Sequence, residues 1–386
     1  MIKHNWEKTR IGNFAQQAEN SVLLIPDESY CLLGMSLEGR GLFIREQKRG
    51  SQIGSKSLNK VIAGEFIYSR LFAWKGAFDF VKDDFEGCYV SDEYPAFIVD
   101  ETKADVKFLH YYFNQSKIWK DVEQYCIGVT KASRNRFKEK FFINMEVNLP
   151  SLPEQKRIIS KIEAVKSKIE QIRELRIAQT KDLNNLLFSK YTELIEEAEW
   201  LPMKEVAPIH RRQVIVEPEE NYHEIGVRSF GKGLFEKPSF KGIELTWQQP
   251  YWMKEGDLLF SNIKAWEGAV GLIPKQYDGW VGSHRYVTCL PNLEIINPEF
   301  LFYYFRTQEG VEKLSLASPG TVDRNRTLNA KKLENILIPI PAQDLQKEFV
   351  ELLHKVNSMK EYHSQTEKEL TELMPSLLDK AFKGEL

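Results

Sequence analysis

Two kinds of hydrophobic pattern alternate along the chain, and each occurs twice. The first consists of short apolar runs: Phe66-Ile67-Tyr68, Ala96-Phe97-Ile98-Val99, Leu258-Leu259-Phe260 and Tyr286-Val287-Thr288-Cys289. Glu86-Gly87 and Asp278-Gly279 punctuate them, so they read as short strands joined by turns. A helix is expected after each set, over 106–125 and 298–314. The second pattern steps by four and three residues through Ile158, Ile162, Val165, Ile169 and Ile172. Leu175, Leu183, Leu186 and Leu187 continue it less regularly. Its second copy runs through Phe349, Leu353, Val356, Met359, His363, Thr366, Leu370, Leu373 and Leu377. Such a seam predicts a helix that lies lengthwise on another helix. Proline stands where each of these helices begins, at Pro150 and Pro153 and at Pro339 and Pro341, since an extended approach and a first helical turn accept it. Pro375 predicts a kink or a restart late in the second helix.

The patterns recur because the residues do, about 192 positions later. Gly39-Arg40-Gly41-Leu42-Phe43 returns as Gly231-Lys232-Gly233-Leu234-Phe235, and Ala73-Trp74-Lys75-Gly76-Ala77 as Ala265-Trp266-Glu267-Gly268-Ala269. Phe108-Leu109-His110-Tyr111-Tyr112-Phe113 matches Phe300-Leu301-Phe302-Tyr303-Tyr304-Phe305. Arg134-Asn135-Arg136 then answers Arg324-Asn325-Arg326, and Gln155-Lys156 answers Gln346-Lys347, with the register slightly slipped. A period this long is a duplicated domain, not a solenoid. The expected fold class is α+β: two similar α/β modules, over 1–150 and 198–342, with two long helices, 151–197 and 343–386, forming an antiparallel coiled coil. A helix over 153–190 would be about 55 Å long. Neither seam can stay in water, so the economical arrangement is one rod with a module at either end. The alternative is that each helix packs only on its own module.

Composition narrows the class. The chain has 386 residues, 42% hydrophobic and 12% aromatic, as an ordinary folded protein does. No apolar run approaches the ~18–20 residues of a membrane span. Met1-Ile2-Lys3-His4-Asn5-Trp6-Glu7 carries no apolar signal core, and Cys31, Cys88, Cys126 and Cys289 are scattered without a Cys-x-x-Cys pair. A cytoplasmic location, with no metal site and no disulfide framework, is the expectation. The net charge of −2 conceals basic stretches: 38–75 holds eight basic and three acidic residues, and 128–140 holds five and one.

Leu152-Pro153-Glu154-Gln155-Lys156-Arg157-Ile158-Ile159, running into Lys161-Ile162-Glu163-Ala164, resembles the start of the central helix in specificity subunits of type I restriction–modification systems. Leu377-Leu378-Asp379-Lys380-Ala381-Phe382 resembles the close of their C-terminal helix, and residues 262–269, 324–326 and 338–341 resemble segments of their target recognition domain. The resemblance follows the family's order along the whole chain. It implies a non-catalytic subunit that binds a split DNA target, one half per recognition domain, on a helical ruler. Two modification (methyltransferase) subunits and restriction subunits are the implied protein partners. S-adenosylmethionine, ATP and magnesium would belong to those partners, none being bound by this chain. The first module departs from the pattern where Arg70-Leu71-Phe72 stands for the Asn262-Ile263-Lys264 type of run.

Reading a base edge needs side-chain donors and acceptors, and holding a duplex needs cations near phosphates. The candidate DNA-binding residues are Arg40, Lys48, Arg49, Lys56, Arg70, Lys75, Lys131, Arg134 and Arg136 in the first module. In the second they are Arg211, Arg212, Arg228, Lys232, Lys264, His284, Arg285, Arg324 and Arg326. Many lysines and arginines of any soluble chain are simply solvated. Trp74 and Trp266 read as shared core elements before they read as base-stacking platforms, and Gly39, Gly41, Gly231 and Gly233 as tight turns. His284-Arg285 replaces Asp92-Glu93 between shared Ser and Tyr positions, a charge reversal suited to different targets.

Two other classes compete. Pro26-Asp27 followed by Glu46-Gln47-Lys48 superficially fits a magnesium-dependent nuclease, with Asp27 and Glu46 holding the ion and Lys48 activating water. It has no counterpart in the second copy. Residues 50–57 miss the P-loop spacing, and Asn297-Pro298-Glu299-Phe300 lacks the second proline of a base-flipping methyltransferase loop. A protein-binding scaffold is the remaining alternative, separated from a DNA binder by the salt dependence that counterion release imposes.

Overall fold

A computed structural model describes residues 6–128, 135–245, 249–320 and 322–386. The chain divides into two compact units, Met1–Arg176 with His363–Leu386 and Ile177–Tyr362.

In the first unit, strands Ala15–Gln17, Ala96–Val99, Phe66–Tyr68 and Phe78–Phe80 form an antiparallel sheet in that order. Phe66, Ile67 and Tyr68 are all fully buried, as befits a central strand covered on both faces. Phe66, Phe78, Phe97, Phe113 and Phe142 fill the core, with ring centroids as close as 4.5 Å (Phe97–Phe142) and 4.6 Å (Phe78–Phe113). A second sheet runs Ser21–Leu23, Ser57–Lys60, Tyr89–Val90, Ser29–Ser36, Gly41–Arg49.

The single helix expected over 106–125 is in fact two, Val106–Phe113 and Ser116–Tyr125. Asn114 and Gln115 interrupt it because side chains take the carbonyls that a longer helix would use. The Gln115 amide donates to Tyr112 O at 2.9 Å, and the Trp119 indole N–H to Phe113 O at 2.6 Å. The expected helix over 298–314 divides likewise into Pro298–Tyr304 and Gln308–Ala317, where the Thr307 hydroxyl caps the second piece by accepting from Gly310 N.

The second unit centres on the antiparallel sheet Val270–Leu272, Leu258–Ser261, Tyr286–Cys289. Its core gathers Leu258, Phe260, Phe300, Tyr304 and Phe305 against Tyr191 and Phe349.

Helices Leu152–Glu196 and Gln343–Phe382 each contribute to both units and pack on one another as an antiparallel coiled pair. In the first unit Ile158, Ile159 and Ile162 meet Leu378, Ala381 and Phe382, while Arg173 and Arg176 pair with Glu367. In the second, Leu187, Tyr191 and Leu194 meet Phe349, Leu353 and Val356, and Lys360 Nζ donates to Asn184 Oδ1 at 2.7 Å. The helix does not restart at Pro375. One interior proline costs ~3 kcal/mol, and the buried Leu378, Ala381 and Phe382 just beyond it outweigh that. The seam itself is only partly buried: Ile158, Ile162 and Ile169 are covered, whereas Leu175 is 69% exposed and Leu186 50%. Among the described residues no helix is long and apolar enough to cross a membrane.

Candidate nucleic-acid interface

The same backbone hydrogen bonds knit one loop cluster in each module. Glu38 N and Gly39 N donate to Lys75 O and Gly76 O, and Phe230 N and Gly231 N donate to Glu267 O and Gly268 O. The turn at 38–41 thus rests on the tryptophan turn Ala73–Lys75, and that at 230–233 on Ala265–Glu267. Gly39 and Gly41 adopt φ of 71° and 81°, and their partners Gly231 and Gly233 64° and 77°, as tight turns require. Glu38 and Phe230 share the left-handed region at 58° and 60° without that freedom, a strain both copies keep. Arg70 N donates to Glu93 O as Asn262 N does to Arg285 O, and Phe137 N donates to Arg70 O as Leu328 N does to Asn262 O. Phe137 therefore answers Leu328, which places Arg136 opposite Thr327. The two Arg-Asn-Arg runs, alike in sequence, are one position out of step.

That slip and the charge reversal redirect the cations. In the first module Arg136 pairs with Glu93, whose carboxylate raises the guanidinium further above its ordinary value. Arg70 is tied to Glu139 and to the Asp92 carbonyl. Arg40 pairs with Glu38 at 2.8 Å, Lys48 with Glu46 at 3.0 Å, and Lys75 Nζ lies 4.7 Å from the Trp74 ring centre. Arg49 and Lys56 are exposed at the end of a strand and in the following loop. In the second module Arg285 and His284 are exposed, and Arg326 stacks 4.6 Å over Trp266 while donating to Ser315 O, Ser315 Oγ and Ser318 O. Lys264 pairs with Glu267 at 2.9 Å, its hydrogen bond outweighing partial burial to hold that carboxyl below its usual range. Arg211 stacks 3.8 Å over Tyr251 and donates to His284 O; Arg228 lies 4.6 Å over Phe235, and Lys232 6.0 Å over Phe230. Lys131, Arg134 and the side chain of Arg324 lie outside the described residues.

Arg212 belongs elsewhere. Its guanidinium grips the fully buried Asp257 through two hydrogen bonds, of 2.5 and 3.2 Å. Asn20 holds the buried Glu65 at the corresponding place, at 2.7 Å. Burial pushes the Glu65 carboxyl up, against the Ile62 N–H and Asn20 amide that favour its charge. A neutral tether in one copy and a charged one in the other do the same job. The 192-residue offset relates Asn20 to Arg212 and Glu65 to Asp257, so the repeat itself carries the signal that pairs them.

Gln155 and Gln346 are further such residues, both buried. Gln155 accepts from Asp105 N and donates to Lys103 O and Pro150 O; Gln346 accepts from Asn297 N and donates to Ile295 O and Pro341 O. Each clamps the start of a long helix to the helix cap of its module. Trp74 and Trp266 are both half-buried, each indole donating to the carbonyl three residues back, and Trp74 packs on the first core.

The nuclease arrangement does not assemble. Glu46 faces Leu32 across the strand pair, while Asp27 lies beyond Ser29, three pairs further on, so about 10 Å of strand separates them. Hydrogen bonds from Lys48 and Arg45 hold the Glu46 carboxyl below its usual range and occupy it. Among the described residues no three His, Cys, Asp or Glu side chains converge as a metal site.

Fold and loop clusters together define a duplicated two-module chain on paired helices. The description "Type I restriction modification DNA specificity domain" matches residues 48–179 and 197–372, most of the chain, and the chain belongs to that family. A stretch of 130 residues is 22% identical to the type I restriction enzyme HindI specificity subunit of Haemophilus influenzae, covering 34% of this chain and 28% of that relative's length. The HsdS subunit from Thermoanaerobacter tengcongensis shares the fold at 19% identity, with a TM-score of 0.64 over 99% of this chain and 98% of the other. A chain from a structure on complex assembly and conformational transition of the type I R-M system shares it at 20% identity and a TM-score of 0.71, each covered in full.

Proposed function

We propose that this chain is the sequence-reading, non-catalytic subunit of a type I restriction–modification assembly, each module reading one half of a split duplex target. The doubled loop cluster carries this reading: one backbone arrangement, two sets of charges. Arg40, Arg49, Lys56 and Lys75 meet DNA from the first module, and Arg211, Arg228, Lys232, Lys264, His284 and Arg285 from the second. Arginine suits guanine edges and lysine suits phosphates. Arg212 is not among them, being committed to Asp257. The helix pair sets the unread gap and seats two modification subunits, which restriction subunits join. S-adenosylmethionine, ATP and magnesium act in those partners. Two readers on one face of B-DNA need half-sites about 10 bp apart, or whole turns of that.

Duplex binding by the full chain, measured across salt concentrations, tests the reading. A log–log slope of about −0.9 for each phosphate neutralised is expected, and a protein scaffold would show none. Lengthening both long helices by seven residues should then alter the preferred gap and leave the half-site letters alone; altered letters would refute the ruler.

A further inference from the structure

The first module contains a polar network that its recognition role has not yet absorbed. Asp79, fully buried, accepts from Leu42 N at 2.7 Å and from Phe80 N at 2.9 Å. His110, with its side chain 12% exposed, holds Nδ1 3.0 Å from Asp79 Oδ1, and its Nε2 lies 3.0 Å from Asn114 Nδ2. Burial alone would raise the Asp79 carboxyl; the imidazole and the two backbone amides outweigh it and keep it below its usual range.

The network ends on the 38–41 turn at both sides. A Cβ on Gly39 would stand 2.6 Å from Asn114 Oδ1, and one on Gly41 would overlap Asp79 Oδ2. The turn therefore lies directly on these two side chains. It contains Glu38 at a φ of 58°, a conformation that persists only where its surroundings over-determine it. In the second module the corresponding positions are Gly271, Phe302 and Arg306, and Arg306 stacks 5.4 Å over Phe302 beneath the matching turn. One turn is backed by an acid, an imidazole and an amide in close contact, the other by a cation on a ring.

We propose that Asp79, His110 and Asn114 are positioning residues for half-site selectivity in the first module, fixing the 38–41 turn and with it the direction in which Arg40 faces the duplex. This rests on the DNA-reading role proposed above and adds residues that touch no DNA. Asp79 holds the outgoing strand by its backbone, Asn114 fills the space under Gly39, and His110 spans the two. Losing the span frees the turn without removing a group from its surface.

The test is selection of duplexes from a randomised library by the full-length chain, alongside thermal unfolding. The wild type should enrich a two-part sequence. His110→Phe, which installs the residue of the corresponding second-module position, should lower base preference in one half at least about tenfold and leave the other half and the gap unchanged. His110→Gln, whose amide offers both a donor and an acceptor, should restore it. Asn114→Ala removes the contact under Gly39 together with the hydrogen bond to His110 and should act in the same half, so it decides the matter should His110→Phe fail to fold. Base preferences unchanged in the folded variants, or weakened equally in both halves, would overturn the positioning role while the two-part sequence still stood. A wild-type chain that enriches no two-part sequence would overturn the DNA-reading role and this proposal with it.

Discussion

The two modules share a backbone scheme and differ in how they use charge. In the first, three arginines of the loop cluster are answered by carboxylates: Arg136 by Glu93, Arg40 by Glu38, Arg70 by Glu139. In the second, rings answer three arginines, Arg326 over Trp266, Arg211 over Tyr251 and Arg228 over Phe235, while Lys264 keeps a carboxylate partner in Glu267. A carboxylate cancels the field that a phosphate would feel, whereas a ring supports a cation and leaves its charge outward. Duplication preserved the hydrogen bonds that place the loops and released the side chains that they present.

The sharpest way to break this equivalence lies in the buried tethers. Arg212→Ala should cost about 3–5 kcal/mol in urea unfolding, because it removes the cation paired with the buried Asp257 and leaves that carboxylate the Lys254 N–H. Asn20→Ala should cost nearer ~1–3 kcal/mol, since it removes a neutral partner and leaves Glu65 the Ile62 N–H. Equal losses would show that the two tethers do not differ as described. The helix clamps should behave alike: Gln155→Ala and Gln346→Ala each remove three buried hydrogen bonds and should each cost about 2–4 kcal/mol by the same measurement.

Acid separates the modules more gently. Asp79 is held below the usual carboxyl range, so its contribution is present above the unfolded value of 3.8 and is lost as pH falls through its lower folded value. Between wild type and Asp79→Asn the stability difference should therefore shrink below about pH 4. A difference independent of pH would remove the charged state from the account. The smallest stability effect belongs to the exposed pair: Glu93→Ala should change unfolding by less than about 1 kcal/mol, yet it frees Arg136 and should steepen the salt dependence of duplex binding.

Much of this is legible in the residues alone. Heptad steps locate both long helices, and the repeated Gly and Trp segments locate the turns, because each demands a backbone geometry that few residues satisfy. The breaks at Asn114 and Thr307 are hidden because they depend on Trp119, Gln115 and Gly310 capturing particular carbonyls and hydroxyls in space. The slip between the Arg-Asn-Arg runs is hidden for the same reason: identical triplets align by eye, whereas Phe137 and Leu328 align by the carbonyl each one binds. Residue type misleads at Arg212, since an arginine in a basic stretch gives no hint of a buried acid 45 residues away.

The glutamine clamp has a consequence for how such a chain diversifies. Gln155 and Gln346 grip only main-chain atoms of the modules they anchor. A joint written entirely in peptide groups is blind to the residues that carry them. Side chains elsewhere in a module can change while the socket that receives it stays as it is.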